Sequence, residues 1–170
     1  MRKSSFFFVY ALMVIAQILI CNYFHLTPYV TLSLLPVMVL CLPVRVSTLG
    51  ALFIAFATGM SVDFLAEGLP GLNTLALLPV AYLRIPLIKL IFGEDLISRG
   101  EDFTVRKNGI GKVTLAVILV QSLFLLLYIW ADGAGMRPFW FNALRFGASL
   151  LAGYAAAIIV IDALAPDTRK

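Results

Sequence analysis

Charge is what this chain most lacks. Asp, Glu, Lys and Arg make up 13% of its 170 residues, against roughly 25% in ordinary globular domains. A water-facing surface cannot be built from so few charged groups, which argues against a soluble domain. Histidine occurs once and cysteine twice. His25 has no Cys, His or carboxylate at metal-ligand spacing and reads as an interfacial residue. The chain has no Gly-rich phosphate loop, no His-Glu-x-x-His, no Ser/His/Asp set and no carboxylates facing each other within one span. It therefore offers no catalytic constellation and no motif for a metal or cofactor, and an enzyme is not expected.

Apolar residues fill the space. They make up 62% of the chain, and mean hydropathy is +1.00. A chain this short cannot hide that much apolar surface in a core of its own, whereas a bilayer can act as its solvent. A membrane helix needs roughly 20 apolar residues, so six spans would use about 120 and leave about 50 for loops. The expected fold is an all-α integral membrane protein, one polytopic domain with a bundle of about six transmembrane helices. Met1-Arg2-Lys3 before an apolar run from Phe6 resembles a secretory leader. The run is longer than such a core, and Cys21-Asn22-Tyr23-Phe24 follows it in place of a small-residue cleavage site, so the first span is expected to be retained.

The expected spans are 6–24, 28–44, 49–66, 72–92, 113–131 and 139–161. The second is short and holds Pro36 and Pro43; the fourth is interrupted by Pro79 and Pro86. The segment 93–112 is the one sizeable polar loop. Its charges are balanced, Glu94, Asp95, Glu101 and Asp102 against Arg99, Arg106, Lys107 and Lys112, so it is a partner-docking segment or a solvated linker, not a polybasic lipid patch. The net charge of +4 sits between apolar runs and reads as a topology signal, not as a nucleic-acid surface. With the N-terminus inside, Arg2, Lys3, Arg45, Arg84, Lys89, Arg99, Arg106, Lys107, Lys112, Arg169 and Lys170 face the cytoplasm, and only Arg137 and Arg145 face out. Cytoplasmic loops carry the excess of Lys and Arg, so both ends are expected inside. Cys21 and Cys41 then lie near opposite faces, beyond disulfide reach, and read as small buried residues.

A few polar residues fall inside the spans. Asp63 is an ionisable group in hydrocarbon, which costs about 2.5–3.5 kcal/mol on insertion scales. It is expected to pair with a cation, to cap the Gly68–Gly71 turn, to relay an ion or proton, or to contact a partner protein. Arg145, at similar depth near the outer face, is its expected mate. Arg84 is expected to snorkel to the cytoplasmic interface or to pair with Asp162. Asn73 is the expected cap of the fourth span. Gln17, Gln121 and Ser122 read as interhelical hydrogen-bond partners. Gly147, Ala148, Ala152, Gly153, Ala156 and Ala157 permit close helix contact on the sixth span.

Three stretches carry a resemblance: Gly59-Met60-Ser61-Val62-Asp63-Phe64, then Gly68-Leu69-Pro70-Gly71-Leu72-Asn73-Thr74-Leu75-Ala76, then Ala81-Tyr82-Leu83-Arg84-Ile85-Pro86. In order and spacing they resemble the glycine–x3–aspartate helix, the Pro-Gly-x-Asn turn and the arginine-proline of the bacterial rod shape-determining protein MreD family. Gln17 and Asn22 to Leu26 look similar too, as do chain length and span count. The resemblance implies a non-catalytic inner-membrane subunit of the cell-elongation machinery. Its partners would be an MreC-type periplasmic protein and, through it, an MreB-type actin-like filament and peptidoglycan synthases. It assigns Gly59, Asp63, Gly68, Pro70, Gly71, Asn73 and Arg84 structural or interface roles. The family is similar in fold to the substrate-binding S-components of energy-coupling-factor vitamin transporters, which makes a small-molecule binding subunit the alternative. The short exterior loops offer only Asn22, Tyr23, His25, Asn73, Asp132 and Trp140 for a ligand, too few for a convergent pocket, and favour the scaffold. A small transporter using Asp63 is a third reading.

Overall fold

A computed structural model describes residues 3–23, 29–93, 109–134 and 136–164, with side chains from Phe6 onward. All its elements are helical: α1 (Lys3–Tyr23), α2 (Leu35–Leu40), α3 (Thr48–Val62) continued by a π-helical turn (Asp63–Glu67), α4 (Leu72–Phe92), α5 (Ile110–Gly133) and α6 (Phe139–Leu164). Five stretches are long and apolar enough to cross a membrane: Phe6–Tyr23, Thr48–Glu67, Leu72–Phe92, Ile110–Gly133 and Phe139–Leu164. Each turns a broad apolar face outward, with Phe8 72%, Phe53 75%, Leu90 79% and Leu151 75% exposed. Apolar surface on every side has no place in water, and the chain is a multi-pass membrane protein.

The inward faces follow the 3.6-residue period. α3 buries Ala51, Ala55, Thr58, Gly59 and Val62; α6 buries Arg145, Ser149, Gly153, Ala157, Ile161 and Leu164. Small residues on these faces let neighbours approach. Of the small residues expected to serve contact on α6, Gly153 and Ala157 do so, while Gly147 faces open space. α4 runs unbroken through Pro79 and Pro86. The five long helices form a ring in the order α1, α3, α4, α5, α6 and back to α1, and α2 touches all of them from the middle.

The second expected span differs from expectation. Only Leu35–Leu40 is helical there. Pro36 sits in its first turn, where the missing N–H does no harm, and Pro43 cannot continue the helix beyond Leu42. Leu35, Val37, Met38, Val39, Leu40 and Leu42 are 0% exposed, so the segment fills the core and does not face lipid. It still runs the length of the bundle. The Tyr10 hydroxyl meets Thr58 Oγ1 at 3.1 Å, and Asn22 Nδ2 donates to the Leu65 carbonyl at 3.1 Å. α1 and α3 therefore lie side by side in the same direction, and residues 29–47 return from the end of one to the start of the other. The expected polar loop 93–112 has its residues 94–108 outside the described set; Ile110, Gly111 and Lys112 open α5.

Candidate functional site

The sharpest polar site is the corner joining α3 to α4. The π-helical turn closes with the Gly68 amide donating to the Asp63 carbonyl at 2.8 Å. Gly68 (φ +67°) and Gly71 (φ +100°) occupy the left-handed region that glycine enters without a steric cost, and the chain reverses between them. The reversal sets the first turn of α4 against the Asp63 carboxylate. Oδ1 accepts from the Asn73 amide at 2.8 Å and from Asn73 Nδ2 at 3.0 Å. Oδ2 accepts from the amides of Gly71 at 3.0 Å and Thr74 at 3.2 Å, and from Thr74 Oγ1 at 2.7 Å. A fully buried anion thus meets amides that have no intrahelical partner, at the positive end of the α4 dipole. Gly59 lies one turn earlier on the same face of α3. A Cβ there would sit 2.7 Å from Thr74 Cα and 2.9 Å from its N, so only glycine lets α4 come this close.

Three expectations change here. Asp63 does not pair with Arg145, because its oxygens are taken by α4. Arg145 instead meets Asp132 Oδ2 at 2.5 Å, an oxygen that Arg137 also reaches at 2.6 Å. Arg145 also donates to Thr31 Oγ1 from Nε at 3.1 Å and from Nη2 at 2.9 Å, and lies 5.8 Å above the Tyr128 ring. Asn73 does not cap α4 with its own side chain; it donates to the Asp63 that does. Arg84 does not snorkel. It is 0% exposed and donates to the carbonyls of Leu40 and Leu42, where the chain leaves α2 and its carbonyls lack helical partners. Asp162 is exposed. Pro70 is exposed and shapes the turn between the two glycines.

A second polar set lines the threaded segment. Backbone that is not helical must find partners when no water reaches it, and side chains supply them. Gln17 Nε2 donates to the Leu32 carbonyl at 3.1 Å, and Gln17 Oε1 accepts from the Leu34 amide at 2.8 Å. Ser149 Oγ accepts from the Thr31 amide at 2.8 Å. Gln121 Nε2 donates to the Ser33 carbonyl at 3.2 Å. Gln17 and Gln121, expected to join one helix to another, bond instead to the backbone of this segment. With Arg84 they are among the largest fully buried side chains. Replacing Gln17 by leucine keeps the volume and strips partners from the buried Leu34 amide and the part-buried Leu32 carbonyl. It should lower stability by about 2 kcal/mol, read as a drop in melting temperature of the detergent-solubilised protein.

From the sequence Asp132 counts only among the exterior polar groups, and Thr31, Ser149 and Glu67 are given no role. Asp132 carried a usable signal: it is the carboxylate of the turn that also holds Arg137, beside the helix of Arg145. Glu67 Oε1 accepts from the Tyr128 hydroxyl at 2.9 Å, tying the π-helical turn to α5. Thr31 and Ser149 carried none, since their role depends on an irregular backbone 118 residues from Ser149. The two cysteines are both free. His25 lies outside the described residues. No family model, no curated protein and no solved structure matches this chain.

Proposed function

We propose that this protein is a non-catalytic scaffold subunit of the bacterial cell-elongation machinery, linking an MreC-type periplasmic protein to peptidoglycan synthesis. One observation carries the reading: five buried polar side chains of the interior spend hydrogen bonds on the chain's own backbone. Asp63 holds α4, while Gln17, Gln121, Ser149 and Arg84 hold the threaded segment. A subunit that binds a small molecule needs such groups turned toward a pocket. A rigid bundle with an apolar exterior is suited to holding other membrane proteins in place. The motif residues behind the resemblance support the same reading, because Gly59, Asp63, Gly68, Gly71 and Asn73 all serve one corner.

The bundle is placed in the inner membrane with both ends in the cytoplasm and six crossings, the second being the threaded segment. Supporting this, Arg45, Lys89 and Lys112 are exposed at the end where α3 and α5 begin and α4 finishes. Arg137 and Arg145 lie at the opposite end. That is the asymmetry of the positive-inside rule. The test is mild-detergent purification of the tagged chain from bacterial cells. Recovery of an MreC-type protein is the expected result. Recovery of an energising transport module instead, with vitamin uptake that depends on this chain, would overturn the proposal.

A further inference from the structure

Two buried polar atoms in the middle of the bundle are left over by the network that holds the threaded segment. Gln121 is 0% and Ser33 2% exposed, yet Gln121 Oε1 and Ser33 Oγ have no hydrogen-bond partner among the described residues. Their residues are in contact, since Gln121 Nε2 donates to the Ser33 carbonyl at 3.2 Å. The orientation of the Gln121 amide follows from that bond: turned over, its oxygen would face a second carbonyl oxygen, and both atoms only accept. On the side of α6 the Gln121 side chain has no spare room. It is wedged against Gly153, where a Cβ would lie 2.9 Å from Gln121 Cδ. The Gln121 oxygen is thus turned away from the Ser33 carbonyl.

Buried polar groups left without a direct partner are commonly satisfied by an enclosed water, at about one water per 27 residues and about three hydrogen bonds each. We propose that Ser33 and Gln121 form a binding site for one ordered water between α5 and the threaded segment. The water donates to Gln121 Oε1 and shares its second hydrogen bond with Ser33 Oγ, which both donates and accepts. Both groups are neutral, which suits water and not an ion. The site would complete the hydrogen bonding of the segment at the level between the Thr31–Ser149 and Arg84 contacts.

Two measurements on the full chain test the site. In a density map that resolves waters, a peak should lie about 2.6–3.2 Å from Ser33 Oγ and Gln121 Oε1. A direct Ser33–Gln121 side-chain bond, or no peak, overturns the proposal. The second is the melting temperature of Ser33→Ala, for which the wet and dry readings differ in sign. Removing a ligand of a bound water should lower it by about 2–4 °C. Removing a hydroxyl that has no partner should leave it unchanged or raise it, and that result overturns the site.

Discussion

Asp63→Ala is expected to cost at least about 3 kcal/mol, because three backbone amides, the Asn73 side chain and the Thr74 hydroxyl all lose their acceptor, all but the part-buried Gly71 amide in buried contacts, at about 1–3 kcal/mol per buried unmet group. For a chain of this size that is a fall of roughly 10 °C in melting temperature, readable on detergent-solubilised protein, with a matching loss of yield from membranes. Asp63→Asn keeps one acceptor oxygen and should lie between the wild type and Asp63→Ala. The size of the effect separates two roles for an acid in a membrane helix. An acid kept as a relay or an ion ligand is costly to the fold, and its removal would leave the melting temperature unchanged or higher. An acid that caps α4 is part of the fold, and its removal unfolds the corner.

Gly59→Ala should destabilise by about 2–3 kcal/mol although it adds a single methyl group. Overpacking of this kind costs typically 1–3 kcal/mol, and here the obstacle is backbone, with Thr74 Cα 2.7 Å and Thr74 N 2.9 Å from the new Cβ. α4 has to move, and the Thr74 bonds to Asp63 move with it. Combined with Asp63→Ala the two losses should therefore fall short of adding, as contacting residues do in double-mutant cycles. Gly147→Ala is the matched control. It places the same methyl in open space on α6, and stability should be unchanged or rise by up to about 1 kcal/mol, because alanine is the better helix former. Gly147→Ala destabilising as much as Gly59→Ala would mean that the α3–α4 approach does not set the cost.

Much of the architecture was legible because hydropathy is a strong and local signal. The first, third, fourth, fifth and sixth expected spans appear as helices with ends shifted by a few residues, as for α5, expected over 113–131 and found over Ile110–Gly133. The second was not legible as a helix, since an apolar run reads the same whether it spans lipid as a helix or fills a core. Pro36 and Pro43 were the marks of the difference. Asp63 stood out at once, and capping was among its expected roles. Its assignment to Arg145 failed because depth along a helix says nothing of direction around it. Asp63 looks toward α4, whereas Arg145 looks toward α5 and Thr31. Arg84 was misjudged for a related reason: an arginine near a helix end snorkels only when nothing inside needs it, and the carbonyls of Leu40 and Leu42 do.

The threaded segment also has a consequence for how the chain assembles. A transmembrane helix satisfies its own backbone within each turn and can settle in the bilayer alone. Residues 29–47 cannot, because Ser33 is held by a residue 88 positions later and Thr31 by one 118 positions later. Gln17 can hold Leu32 and Leu34 once α1 is made, but the bonds to Ser33 and Thr31 need α5 and α6, so the hydrogen bonding of the segment is complete only when those helices are in place.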